Sequence, residues 1–369
     1  MTAKESTTVE QVTEQRDALV GRLFQATLGM MDVFSVYLGD RLGLYRAVAD
    51  TGWTTPGELA ARTGTVERYA REWLEQQAVT GILMVEGAGA DASARRYRLP
   101  LGHAEVLLDR DSLCYLAPVG KFGSAFARTL PAILEAFRSG GGVPWSAFGE
   151  DGRQGQADFN LPLFLNVLGK EWLPAIADLH ARLQADPAAR VADIGCGAGW
   201  SSIGIAKSYP KVRVDGFDMD EPSIALAQAN AKEAGLGDRV TFYGRDAADS
   251  GLSGGYDLVA AFEMVHDLAR PVDVLRSMKG LLAPGGAAIV MDEWVAETFG
   301  APGDDVERFM YGASILCCLP VGLSESPSAA TGTVMRPATL RGYALEAGFR
   351  DMEILPIEHD FFRVYRLIP

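Results

Sequence analysis

Residues 191–202 read VADIGCGAGWSS, and this stretch decides the fold. A short apolar run ends in Asp193. Alternating glycines follow at Gly195, Gly197 and Gly199, and Ser201 and Ser202 open an amphipathic segment. The pattern predicts a strand, a tight turn and a helix. Glycines suit such a turn because a backbone without Cβ bends sharply and lets a ligand approach closely. The spacing is G-x-G-x-G. The dinucleotide fingerprint requires G-x-G-x-x-G, and its last position is Trp200 here. The loop points to a nucleotide-like ligand, with NAD not the first choice.

Downstream of the loop the chain alternates strand and helix patterns. Strands are predicted over 191–194, 212–217, 240–243, 256–262, 287–291, 352–356 and 361–367, with helical segments between the first six. The last two are joined by only a few residues. They therefore predict an antiparallel hairpin, since a parallel pair needs a longer crossover. The expected fold class is α/β: a Rossmann-like doubly wound seven-stranded sheet with one antiparallel strand, an N-terminal all-α/winged-helix domain and a helical lid.

Upstream, Thr55-Pro56-Gly57-Glu58 forms a capping box that starts a helix ending near Arg62. Gly64 turns the chain and Thr65 caps a second helix to about Ala78. A hairpin over 82–85 and 96–99 completes a winged-helix pattern. Such a unit either binds DNA or serves as a scaffold and dimerisation domain. The second helix carries Glu67, Arg68, Arg71, Glu72 and Glu75, whose charges nearly cancel, whereas a recognition helix presents a basic face. The scaffold reading is preferred; Arg95, Arg96 and Arg98 in the wing argue for the other.

The chain has 369 residues and a net charge of −14. The first 100 residues carry 11 basic and 13 acidic side chains, leaving 23 and 35 in the remainder. An acidic α/β half repels a phosphate backbone and favours a small-molecule substrate over nucleic acid. Cys114, Cys196, Cys317 and Cys318 form no C-x-x-C pair, and no His/Cys/carboxylate spacing suggests a metal site. The polar start, MTAKESTTVEQ, does not read as a signal peptide, and residues 18–39 are interrupted by Arg22, Gln25 and Asp32. The expectation is a reduced, cytoplasmic chain without a membrane span. Apolar N-terminal helices predict a homodimer.

Polar residues gather at the predicted strand ends: Asp193, then Asp218, then Asp246, then His266 with Asp267, then Asp292 with Glu293. Ligands in doubly wound sheets lie along that rim. The segments VADIGCGAGWSS, VDGFDMDEPSI, GRDAAD, YDLVAAFEMVHDL and LLAPGGAAIVMDE resemble, in order and spacing, a class I S-adenosylmethionine-dependent methyltransferase. With its winged N-terminal part and the tail YGASILCCLPVGLSE, the whole chain resembles the actinobacterial winged-helix methyltransferases, which are related to plant-type small-molecule O-methyltransferases. The resemblance implies a dimerisation domain over 1–110, a connector and substrate lid over 111–187, and a cofactor-binding methyltransferase domain over 188–369.

It also implies roles for particular residues. Asp193 and the loop Gly195, Gly197 and Gly199 hold the methionine part of S-adenosylmethionine, aided by the positive end of the next helix. Asp218 takes the ribose hydroxyls and Met219 packs on adenine. Asp246, with Ala247 beside it, accepts from the adenine amino group. Phe262 forms part of the wall near the donor, where plant-type enzymes carry a lysine. His266 is the general base for O-methylation, and Asp292 or Glu293 orients it. Two other functions are compatible with these residues: a cofactor-responsive winged-helix DNA-binding regulator, and an enzyme of this fold that uses the sulfonium without methyl transfer.

Overall fold

The computed structural model describes residues 8–89, 91–249 and 254–369. The first seven residues of the polar start therefore lie outside the described residues. The chain divides into two compact units, one of residues 1–109 with 114–124, the other of 110–113 with 125–369. No helix among the described residues is long and apolar enough to cross a membrane.

The first unit opens with a 33-residue helix, Val9–Arg41, and packs helices Leu44–Thr51, Pro56–Thr63 and Glu67–Val79 with a small hairpin. The hairpin pairs β1 (Met84–Glu86) antiparallel to β2 (Arg96–Arg98). Thr55 caps its helix as expected: its hydroxyl accepts from the Glu58 N–H, and the Glu58 carboxylate accepts from the Thr55 N–H. Thr65 does not cap the next helix. The N-cap is Val66, and the Thr65 hydroxyl pairs instead with that of Thr63 at 2.9 Å. Leu44, Tyr45, Val48, Leu59, Trp73, Leu74 and Tyr97 build the core of this unit. Trp73 is anchored in it by a 3.0 Å hydrogen bond to the Ser35 carbonyl, whereas Tyr69 on the same helix is 78 % exposed. The three wing arginines each have a partner. Arg95 pairs with Glu75 at 2.5 Å, Arg96 with Glu86 at 3.5 Å, and Arg98 lies over the Trp53 ring.

The second unit is built on a seven-stranded sheet. Its strands are β3 (Arg190–Ile194), β4 (Arg213–Asp218), β5 (Val240–Gly244), β6 (Tyr256–Phe262), β7 (Leu282–Glu293), β8 (Asp351–Ile354) and β9 (Phe362–Ile368). Their order is β5-β4-β3-β6-β7-β9-β8. β9 runs antiparallel to both of its neighbours and the remaining pairs are parallel. Alternation along the central strands feeds two cores. Val191, Leu258, Ala260 and Ile289 face one layer, and Ala192, Ile194, Val259 and Val290 face the other. The chain winds outward in one direction from β3 and in the other from β6. The switch point therefore lies between those two strands, and the ligand crevice of doubly wound sheets lies outside their carboxyl ends.

Two local expectations are corrected. No helix joins β5 to β6 among the described residues. That connection is rich in Asp, Ser and Gly, which favour turns over helix. β7 begins at Leu282 rather than 287, because Leu282 pairs with Tyr256 across a bulge.

Candidate active site

The crevice is built from the strand ends outward. Asp193 is the penultimate residue of β3 and is 1 % exposed. Its Oδ2 accepts from the hydroxyls of Ser201 and Ser202, both at 2.6 Å. These serines thus fold back under the loop from the helix Trp200–Ser208. The other oxygen, Oδ1, has no hydrogen-bond partner among the described residues. Burial pushes the Asp193 carboxyl up to about 6.

The loop above it needs its glycines. Gly195, Gly197 and Gly199 all take positive φ, of 67°, 50° and 79°. A Cβ on Gly195 would come within 2.8 Å of the Met264 side chain, and one on Gly199 within 2.5 Å of Phe242. The N–H groups of Gly195 and Cys196 donate to the Phe217 carbonyl, which ties the loop to β4.

Asp218 ends β4. Its Oδ2 accepts from the Gly197 N–H and its Oδ1 from the Asp220 N–H, both at 2.9 Å. Each oxygen keeps a lone pair for a further donor. Burial raises its pKa. Met219 beside it is 57 % exposed. Past β5, Asp246 accepts from the Ala248 N–H and pairs with Arg270 at 3.0 Å, while Ala247 is buried. Phe262 is buried in the core, 5.8 Å from the Phe164 ring.

His266 sits in the short 3-10 turn Val265–Asp267 after β6 and is 2 % exposed. Its Nδ1 lies 2.8 Å from Asp292 Oδ1 and 2.9 Å from Glu293 Oε2, both at the end of β7. Its Nε2 lies 3.4 Å from Asp267 Oδ1. Burial alone would lower the His266 pKa, but Glu293, Asp292 and Asp267 hold it well above 6.5. Burial pushes the Glu293 carboxyl well up. Asp292 is equally buried, yet the charge and hydrogen bond of His266 keep it below its ordinary range. Donor atoms of His266, Asp292 and Glu293, and of His266, Asp267 and Cys318, lie within 4.8 Å of one another.

Sequence reasoning missed part of this site. Glu263 follows β6 directly with φ of 52°, a backbone state that non-glycine residues seldom adopt. Its Oε2 accepts from Gln156 at 3.0 Å and from Asn160, both on the helix Gly149–Leu163. Arg270, which neutralises Asp246, was also missed. The one available signal for Glu263 was a charged residue directly after the apolar run YDLVAAF.

A doubly wound sheet, a glycine loop at its switch point and acidic residues on successive strand ends define a class I S-adenosylmethionine-dependent methyltransferase, here with an N-terminal winged-helix domain. Residues 185–314 match the family described as "Methyltransferase domain", and residues 26–109 match the "Rv2258c-like winged HTH domain". The ubiquinone biosynthesis O-methyltransferase of Ralstonia nicotianae is 25 % identical over 197 residues, 53 % of this chain and 74 % of that protein. The trans-aconitate 2-methyltransferase of Streptomyces avermitilis is 36 % identical over 113 residues, 30 % of this chain and 42 % of that protein. Human N-acetylserotonin methyltransferase, solved with S-adenosylmethionine, shares the fold with a TM-score of 0.71 at 18 % identity, covering 100 % of this chain and 99 % of that one. The mitomycin 7-O-methyltransferase MmcR shares it with a TM-score of 0.66 at 18 % identity, covering 96 % and 99 %.

The crevice fits the cofactor on its own geometry. A buried carboxylate oxygen of Asp193 lacks a partner beneath a loop that has no room for side chains at Gly195 or Gly199.

Proposed function

We propose that the chain methylates an oxygen atom of a small, largely apolar molecule, with His266 as the general base. The observation that carries this reading is the pairing of two features across the switch point: the glycine loop after β3 and the His266–Asp292 hydrogen bond after β6. The names of relatives such as the Ralstonia O-methyltransferase support oxygen as the acceptor atom.

When bound, the cofactor supplies an electrophilic methyl group on a sulfonium sulfur. Asp193 and the residues Gly195, Gly197 and Gly199 hold its methionine part. Asp218 accepts from the ribose hydroxyls, Met219 covers the adenine, and Asp246 and Ala247 meet its amino edge. Phe262 backs the crevice from the core. Asp292 accepts from Nδ1 of His266 and fixes the tautomer, which leaves Nε2 to receive the acceptor's proton. Glu293 shares the Asp292 carboxylate. A base with a raised pKa takes up that proton strongly once it is itself unprotonated.

The burial of His266 favours one second reading, in which its imidazolium is a structural counter-charge for Asp292 and Glu293. His266→Asn separates the two. Loss of turnover with a retained melting temperature supports the base, and loss of stability with retained turnover supports the counter-charge.

The same proposal assigns the winged unit to dimerisation rather than DNA. Its wing arginines already have partners, and Leu19, Val20, Leu23 and Phe24 present an apolar stripe on its long helix. A labelled-methyl transfer assay on a panel of phenols and alcohols, read for both methylated product and S-adenosylhomocysteine, tests the whole reading. Binding of cofactor without either product would contradict it.

A further inference from the structure

Glu263 belongs to no role assigned above, yet the fold spends strain and two side-chain amides on it. It is one of two non-glycine residues with positive φ among the described residues, the other being Ala330. Such strain persists where the surroundings over-determine it, and it gathers at functional sites. Both amides, from Gln156 and Asn160, reach the same oxygen, Oε2. Oε1 is left without a hydrogen-bond partner among the described residues and is not among the fully enclosed atoms. The clamp is itself incomplete, because the buried Oδ1 of Asn160 also lacks a partner. The arrangement is a half-used carboxylate, held in place with one oxygen open.

Strand order says what it faces. Asp246 follows β5, Asp218 follows β4 and the glycine loop follows β3, so the cofactor's adenine, ribose and methionine parts succeed one another across the sheet. β6 is the next strand, and Glu263 is the residue that leaves it. Met264, its neighbour, presses against Gly195 of the loop. The unpartnered Oδ1 of Asp193, beneath the loop, suits the methionine ammonium. Burial pushes the Glu263 carboxyl up to about 7 and the nearby His266 charge opposes this, so a further cation beside it favours its charged form, and the bound sulfonium would be one.

We propose that Glu263, clamped by Gln156 and Asn160, is the counter-charge for the sulfonium of S-adenosylmethionine and lets the enzyme distinguish the methyl donor from its spent product. This rests on the methyltransferase reading. In the transfer the methyl carbon–sulfur bond breaks, its electron pair stays on sulfur, and the methyl carbon bonds to the acceptor oxygen, whose proton goes to His266. The sulfur becomes a neutral thioether, so the attraction to Glu263 vanishes with the reaction. Glu263 thus acts on donor binding and product exchange, not on the transition state, where that charge is already fading.

Calorimetric titration of wild type and Glu263→Gln with S-adenosylmethionine, S-adenosylhomocysteine and sinefungin tests the proposal. Sinefungin carries an amine where the sulfonium methyl stands. The variant should weaken the two cationic ligands by about tenfold and S-adenosylhomocysteine by less than about twofold. Equal weakening of all three would overturn the proposal, since they share the ammonium. An unchanged ratio would overturn it as well. Should Glu263→Gln fail to fold, Asn160→Ala loosens the clamp while keeping the carboxylate, and must shift the same ratio in the same direction. A wild type that binds none of the three would overturn the methyltransferase reading and this proposal together.

Discussion

At the scale of single residues the crevice trades stability for binding. A carboxyl whose pKa rises from 3.8 to about 6 on folding prefers to be neutral in the fold. Below pH 3.8 Asp193 is protonated in both folded and unfolded chains and costs nothing. Above pH 6 it is charged in both, and its burial costs on the order of 3 kcal/mol. Asp193→Asn should therefore raise the melting temperature at pH 7 more than at pH 4, while weakening cofactor binding; thermal unfolding at the two pH values and calorimetric titration check the pair. Asp218→Ala should weaken S-adenosylmethionine binding by roughly 1.5–3 kcal/mol, because hydroxyl donors lose a charged acceptor. His266→Ala should leave that affinity nearly unchanged and lower turnover by about 10²–10⁴-fold. For His266 the sign is opposite to that of Asp193. Its raised pKa contributes stability below pH 6.5 that is lost as pH rises through the folded value, while base catalysis appears over that same rise. The turnover profile should therefore climb above pH 6.5, and a profile flat from pH 6 to 9 would remove His266 as the base.

At the scale of elements, burial explains what could be read in advance. β3 and β6 are covered on both faces and read as mostly apolar runs, broken only by Arg190 and Asp193 in β3 and by Asp257 in β6, and β6 occupies the predicted residues 256–262. Where pairing alone sets an end, as for β7 at Leu282, local sequence carried no sign of it. Threonine caps show the same divide. Thr55 has Pro and Glu at the right offsets and caps, whereas Thr65 precedes Val66 and bonds to Thr63. Thr55→Ala should cost about 1 kcal/mol and Thr65→Ala much less, as denaturant unfolding would show. The strand-end rim was legible because chemistry at such ends is a property of the fold. Glu263 was not, because its partners Gln156 and Asn160 are more than 100 residues away in sequence and nothing local announces a positive φ.

At the scale of the whole molecule, the chain carries a net charge of −14 and exposes an apolar stripe on the helix Val9–Arg41. If the stripe seats a second copy, Leu23→Asp should shift the protein toward monomer in sedimentation at micromolar concentration, with no loss of cofactor binding. A wild type that is already monomeric there would contradict the dimer. The central claim is methyl transfer to a small-molecule oxygen. It is tested most directly by incubating the protein with methyl-labelled S-adenosylmethionine and a phenol and alcohol panel, then reading product mass and S-adenosylhomocysteine together. The account predicts one labelled O-methyl ether per S-adenosylhomocysteine released, lost in His266→Ala. Tight cofactor binding with no labelled ether from any member of the panel would contradict it.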